Sequence, residues 1–410
     1  MGVTTSRTRE RVLIEFDHHG LEASHHREAL LARVRRHPVF YTEANGGHWV
    51  VTSHELTKHV LRTPEVFSSL KHPDGSGGVT IPTAPGPRLL PAEADAPYHR
   101  TLRKLLTPKF NRAAVAAMRP RVERIVRQTV DRVIEQGDFD VVHDVADAVP
   151  AGVMVEYLGL PDEVRVPFIK SVQAALSVVP MAGPQELANP SDELKAGIEA
   201  FAAAVATIQE FIARRRREPA DDVVSYLAGP DQSLEDDDLL WLIFTLFVGG
   251  AENPAAFICN AMIILAESDT LRGQLIDDRE LLPVAIDELL RVITAGVSLT
   301  RNVVQDTELA GQRITAGERV LLWLPAANHD PTVFAEPDAI DLQRSPCPHL
   351  AFGDGPHVCL GNWLARLEFE LLFDEILTRI PDYRVHLEQG ERFTDAATMY
   401  GWRTLPASTR

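Results

Sequence analysis

Residues 239–266 read LLWLIFTLFVGGAENPAAFICNAMIILA, and Glu252 is the only charged residue among them. A helix that is apolar on every side is stable only inside a large core, so the rest of the chain has to wrap around this segment. Its longest uninterrupted apolar stretch, Leu239–Val248, is too short to span a bilayer. Gly249, Gly250 and Pro254 stand at its middle. A proline removes one backbone hydrogen bond and clashes with the preceding turn, at a cost of about 3 kcal/mol, and glycines weaken a helix further. The pattern predicts a long buried helix opened at its centre, where an acid, Glu252, and an amide, Asn253, are placed. SLEDDDLL marks the start: Ser233 as cap, Asp236 in a capping-box pattern, and further acids in the first turn.

The 410 residues are 45% hydrophobic, enough for a large core, and no shift in composition marks a boundary. One domain over residues 1–410 is expected. A net charge of −17 suits nucleic acid poorly. The opening MGVTTSRTRERVLIEFDHHG lacks the apolar stretch of a secretory signal. The expectation is a soluble cytoplasmic protein with no membrane association. Cys259, Cys347 and Cys359 are unevenly spaced without a CxxC, which argues against a disulfide framework or a zinc finger.

Helical periodicity dominates the rest. RAAVAAMRPRVERIVRQTVDRVIEQG is amphipathic and ends at Gly137. DELKAGIEAFAAAVATIQEFIARRRREP carries Arg214–Arg217 in its last turn, where cations suit the helix dipole; we read them as a solvated helix end. LLPVAIDELLRVI and NWLARLEFELLFDEILTRIP are also helical. Strands are few: GHWVVTS, the segment Arg301–Leu309, and RVLLWLP. A Gly/Pro-rich stretch, 67–97, is too long for a connector and reads as a lid or binding loop. The fold class is mainly α with a minor β component.

Several motifs fail. There is no GxxxxGK, HExxH or GxSxG, and Gly353 with Gly355 lacks the third glycine of a dinucleotide fingerprint. His18, His19, His25 and His26 lie near a polar terminus without supporting carboxylates and read as surface histidines rather than a metal cluster.

HLAFGDGPHVCLGNWLARLEFELL places Cys359 at the end of a Gly-rich turn and just before a helix. Backbone N–H groups and the positive end of the helix dipole favour a thiolate there. Gly353 and Gly355 allow the turn, and Gly361 leaves room for a flat partner at the helix start. The alternative is an inert buried cysteine.

Phe352-Gly353-Asp354-Gly355-Pro356-His357-Val358-Cys359-Leu360-Gly361 resembles the FGxGxHxCxG signature of cytochromes P450. The resemblance implies the P450 fold, a helical prism with small β-sheets around a buried haem b, with Cys359 as the axial thiolate of the iron. Such a ligand favours O–O bond cleavage. Glu288 and Arg291 match the family's ExxR pair, and Arg344 falls where a third member of that network is expected. His99 and Arg103 match HxxxR, used on one haem propionate, while Arg301 and His357 fall at the positions for the other. Phe352, Gly353 and Gly361 complete the implied haem contacts. The resemblance also implies a haem-binding core over about 230–380, with access elements over about 67–97 and 160–215.

In the family the central helix carries (A/G)GxxT with an acid before the threonine. Gly249, Gly250 and Glu252 match, whereas Asn253 stands at the threonine position and is followed by Pro254. The glycines would leave room for dioxygen and water, and the acid would deliver protons. An amide donates but is a poor relay. Two readings stay open: ordinary monooxygenation, or oxidative coupling of aromatic rings without oxygen insertion. By resemblance the substrate pocket is lined by Val79 and Ile81, by Phe244, Phe247 and Val248, by Val297 and Ser298, and by Met399 and Tyr400. That set suits a medium-sized organic, aromatic natural product. No flavin or nicotinamide domain is present, so electrons are expected from a separate ferredoxin and its reductase, docking near Arg100, Lys104, Lys109 and Arg112 of a monomer. Alternatives from other classes are a haem-thiolate ligand-binding protein without turnover and a peroxide-driven enzyme.

Overall fold

The computed structural model describes residues 11–83, 86–176, 189–230, 232, 234–395 and 399–410. The 239–266 run forms the inner part of one helix, Asp236–Glu267, around which the others pack. Ser233, expected as its cap, lies outside the described residues. The three aspartates of the first turn face the positive end of the helix dipole instead.

The expected opening at the centre is absent: the helix runs without interruption through Pro254. Pro254 has no N–H for the carbonyl of Gly250, a loss of about 3 kcal/mol. Beyond the proline, Phe257, Ile258, Met262 and Leu265 are each at most 1% exposed. Burying such side chains contributes about 1.5–3 kcal/mol apiece, so packing outweighs the lost bond. Because it is continuous, the helix is long and apolar enough to cross a membrane by length and composition, as is Asp192–Arg217. The short-stretch argument made from Leu239–Val248 therefore fails. What distinguishes the central helix is its burial against protein: Phe257 packs against Phe369 with ring centroids 4.0 Å apart and the rings tilted by 33°, and the Tyr383 hydroxyl donates to the Met262 carbonyl at 2.7 Å.

The expected helices appear as Arg112–Gln136, capped by Asn111 and ended at Gly137, and as Asp192–Arg217, Leu282–Ile293 and Asn362–Arg379. The arginine run is only partly solvated. Arg215 is bound to Asp222 at 2.6 Å and donates to the Gly159 carbonyl, while Arg216 reaches Asp236. The sheet next to the helices has five strands in the order Val39–Thr42, His48–Val51, Arg319–Trp323, Ser298–Val303 and Phe67–Ser68. His48–Val51 and Arg319–Trp323 pair in parallel, with Val50 opposite Leu321, and the other neighbours are antiparallel. The single strand expected over Arg301–Leu309 is two, Ser298–Val303 and Thr307–Leu309.

His25 and His26 are exposed, as expected. His18 is not: it is 1% exposed and donates from Nε2 to the Ile81 carbonyl.

A polar cluster is centred on an ion pair that lies wholly inside. Glu288 and Arg291 are both fully buried. Arg291 donates from Nε and Nη2 to the two carboxylate oxygens, each at 2.7 Å. Arg344 Nε and the Asp341 N–H donate to the same carboxylate at 2.9 and 3.0 Å. Burial pushes the Glu288 pKa up, but these donors outweigh it and hold the carboxyl below its ordinary value. Arg291→Met leaves that carboxylate buried without its main partner and should destabilise the protein by about 3–5 kcal/mol in urea unfolding followed by circular dichroism. A loss under about 1 kcal/mol would show that the pair does not brace the core.

Candidate active site

Cys359 ends a loop held from three sides. Its N–H donates to the Phe352 carbonyl at 2.8 Å. Asp354 accepts from Arg62 at 3.0 Å through both oxygens. Gly355 has φ +67°, and a Cβ there would lie 2.4 Å from the Leu61 carbonyl oxygen, so only glycine allows the loop to approach the helix His54–Arg62. At Gly361 a Cβ would meet nothing within 4 Å, because that position faces open space. The helix Asn362–Arg379 begins immediately afterwards.

The space is a cavity of ≈ 470 Å³ between this loop, the central helix and the sheet. Its size and mostly apolar wall are those of a site enclosing an organic ligand. Burial raises the Cys359 pKa, and the Gly361 N–H, Arg103 and Arg366 oppose the rise without cancelling it. The helix start alone does not make a thiolate, contrary to expectation; a cation bound at sulfur would, since a coordinating thiol is deprotonated outright.

One side of the cavity gathers four basic side chains. His99 and His357 stack with centroids 3.9 Å apart. Arg103 Nη1 donates to the Val358 carbonyl at 3.0 Å, and Arg301, 3% exposed, donates to the Thr300 carbonyl. Among the described residues no carboxylate is hydrogen-bonded to any of the four, and His99 Nε2 is buried without a partner. Burial and the neighbouring arginines push the His357 pKa down to about 3. Asp95 is the one carboxylate felt by His99 and Arg301, and four basic groups against one acid are the complement of a ligand that carries carboxylates.

The central helix turns one face to the cavity: Thr245, Leu246, Gly249, Gly250, Asn253 and Pro254. The two glycines differ. A Cβ on Gly249 would meet nothing within 4 Å, but one on Gly250 would lie 2.3 Å from the Met154 sulfur. Only Gly249 leaves open space; Gly250 is needed so that Met154 can pack. The Asn253 amide stands beside Gly296 across the cavity.

The model of the cytochrome P450 family matches residues 37–404. The chain is a cytochrome P450. Among its relatives, a putative cytochrome P450 126 of Mycobacterium tuberculosis is 34% identical, covering 90% of this chain and 89% of its own. Nocardicin C N-oxygenase of Nocardia uniformis subsp. tsuyamanensis is 36% identical over 82% of this chain and 83% of its own. Mycinamicin IV hydroxylase/epoxidase of Micromonospora griseorubida is 35% identical over 76% and 78%. The structure of a post-tailoring hydroxylase of himastatin biosynthesis superposes with a TM-score of 0.80 at 26% identity, covering 95% of this chain and 100% of its own. That of the cytochrome P450 of the Bacillus subtilis bacillaene polyketide synthase reaches 0.84 at 24% identity, over 96% and 99%.

P450 enzymes bind haem b, and this chain is a haem-binding oxidoreductase of the monooxygenase type. The cavity fits that group. The orphaned His99 nitrogen and Arg103 and Arg301, which donate only to backbone carbonyls, suit its carboxylates, and the open space over Gly361 and Gly249 suits a flat ring between loop and helix.

Phe352, Gly353, His357, Gly361, His99, Arg103, Arg301, Gly249, Gly250 and Asn253 all line the cavity, as do Val79 and Ser298. The remaining expected pocket residues do not. Phe244, Val248 and Glu252, spaced by four, form a stripe on the opposite side of the helix. There Phe244 meets the Phe201 ring at 5.4 Å and Glu252 feels Asp147. Phe247 packs edge-on against Phe168. The Ile81 side chain is buried with Phe16, Phe40 and Trp323, and Val297 is 4% exposed in the core. Met399 bridges to Gly296 behind the cavity wall. Tyr400 receives a hydrogen bond from Arg392 and lies under Arg27. Thr398, beside them, is outside the described residues.

Among the wall residues that escaped the sequence reading, two stand out. Met154 carries no signal of its own. Glu368 does: Leu364, Ala365, Glu368, Phe369 and Leu372 recur at helical spacing, so an acid falls on a buried stripe. It is 1% exposed, its Oε2 has no partner, and burial raises its pKa well above the carboxylate range. It faces the cavity as a neutral acid.

Gly250→Ala should cost about 1–3 kcal/mol through overpacking against Met154, and that added cost should largely vanish when the change is made in a Met154→Ala background. Gly249→Ala, with nothing to strike, should raise stability by about 0.5–1 kcal/mol. Equal melting temperatures for the two single variants would contradict the assignment.

Proposed function

We propose that this P450 inserts oxygen into a medium-sized organic, aromatic natural product, using electrons from a separate ferredoxin and its reductase. The observation that carries the reading is the wall on the substrate side. Val79, Leu246 and Leu299 are apolar, and Asn253 and Ser298 supply polar atoms. Such a surface orients an organic molecule by shape, with few polar contacts. The names of the N-oxygenase and the hydroxylase/epoxidase describe oxygen insertion, which supports the reaction type.

When bound, the haem supplies dioxygen activation at its iron. Cys359 would hold the iron through its thiolate. His99 and Arg103 would bind one propionate, and Arg301 and His357 the other. Gly361 admits the ring, and the Glu288–Arg291–Arg344 cluster braces the loop. Asn253 can donate a hydrogen bond toward the oxygen site but cannot both accept and pass a proton as a hydroxyl does. Glu252, on the opposite side of the helix, acts as a proton reservoir, with delivery through water. Its pKa is raised to about 7 by burial and by Asp147, so it carries its proton below that pH and loses it above. Arg100, Lys104 and Arg112 are exposed near the cysteine loop, where Trp363 is 42% exposed, and we assign this face to the electron donor. We read the chain as a soluble, cytoplasmic monomer.

Asn253 at the threonine position favours one second reading, oxidative coupling of aromatic rings without oxygen insertion. Turnover with ferredoxin, reductase, NADPH and isotope-labelled dioxygen separates the readings: label in the product supports monooxygenation, and an unlabelled coupled product supports the alternative. No ligand-stimulated NADPH consumption, with any ligand that shifts the haem spectrum, would sink both. Asn253→Ala should lower product per NADPH without lowering haem content. In the wild type, product per NADPH should fall as pH rises through about 7, and Glu252→Gln should flatten that profile. An unchanged profile would remove Glu252 from the proton route.

A further inference from the structure

Far from the cysteine loop, three elements meet at one histidine. His19, in the segment before the helix Leu21–His25, has Nδ1 2.7 Å from Asp395 Oδ2 and Nε2 2.7 Å from the Ile81 carbonyl oxygen. A carboxylate and a carbonyl can only accept. Both ring nitrogens therefore donate, and His19 is an imidazolium. His18 Nε2 donates to the same Ile81 carbonyl at 2.8 Å, while its Nδ1 is buried without a partner. His48, with its ring 5.3 Å from that of His18, has the Ala44 backbone as its one polar neighbour. The two buried histidines are neutral, and His19 carries the charge.

Ile81 belongs to the loop whose Val79 and Thr80 line the cavity. On its sheet side this loop is tied by Arg319, which donates to the Gly78 and Thr80 carbonyls, and by the Thr300 N–H, which donates to Val79. On its other side the contacts of the Ile81 carbonyl are those of His18 and His19. Asp395 lies in the C-terminal loop that follows the strand Glu391–Arg392.

We propose that His19, as an imidazolium, is a pH-dependent positioning residue that clamps the cavity-wall loop 77–83 to the C-terminal loop at Asp395 and loosens it on losing a proton. The groups facing it are Asp17 on its own segment, Asp395 on the C-terminal loop and His18 beside it; His48 and Arg319 stand behind His18. Burial lowers the His19 pKa, but the bond to Asp395, the Ile81 carbonyl and Asp17 outweigh it and raise the value above 6.5. A raised pKa makes the clamp complete below pH 6.5 and weakens it as pH climbs through the folded value. Burial holds His18 at about 4 and His48 at about 3, so neither titrates in that window. Burial lowers the Arg319 pKa only to about 10, above that window.

The test uses the haem-loaded protein and no substrate, so it stands or fails apart from the reaction proposed above. Amide hydrogen exchange of peptides covering 77–83 is followed from about pH 5.5 to about pH 9, with rates corrected for intrinsic pH dependence and the central helix as control. Protection of 77–83 should fall about two- to tenfold as the clamp is lost, while the central helix does not change. His19→Gln keeps at most one of the two bonds and should give low protection that does not respond to pH. Asp395→Asn should move the transition to lower pH. A flat wild-type profile, or the same step in His19→Gln, would overturn the proposal.

Discussion

The Glu288–Arg291 pair ties the fold to the cysteine loop. Arg291 does more than neutralise a buried carboxylate: it donates to the carbonyls of Asn328, Pro337 and Ala339. Asn328 in turn donates to Thr294 at the end of the Leu282–Ile293 helix and accepts the Leu350 N–H at 2.6 Å. Leu350 lies immediately before the loop that ends at Cys359. Two charges taken from water cost several kcal/mol each unless their hydrogen bonds are filled, and here they are filled largely by backbone of the segments that must be held still. Orientation of the sulfur thus follows from satisfying one buried ion pair.

The central helix shows how packing can override local propensity. Two glycines and a proline argued for an opening, yet the apolar surroundings keep the helix continuous. What the three residues change is the surface. Gly249 is bare toward the cavity, Gly250 receives Met154, and Pro254 frees the Gly250 carbonyl from its usual partner. A helix can therefore furnish a concave wall without breaking.

Much of the haem side was legible because it is written in residue identity. Cys359, the FGxGxHxCxG spacing, the ExxR pair and the four basic residues need no geometry to be recognised, and the structure gathers the loop and the basic residues around one cavity. The substrate side is written in phase. Reading Phe244, Phe247 and Val248 as pocket missed the cavity face of a helix that advances by about 100° per residue. The glycines held the correction, since Thr245, Gly249 and Asn253 share one stripe. Glu252 likewise does not line the cavity, being adjacent in sequence to Asn253 but on another face. His18 failed for a different reason: a polar neighbourhood in sequence does not reveal that it lies beneath the loop at Ile81.

The central claim is that Cys359 ligates iron in a cavity whose basic wall binds the haem carboxylates. X-ray absorption at the iron edge of the ferric, haem-loaded protein tests it most directly. A sulfur scatterer in the first coordination shell of the wild type, lost in Cys359→His while haem remains bound, is the predicted result. Sulfur retained in that variant, or missing from the wild type, would contradict the account.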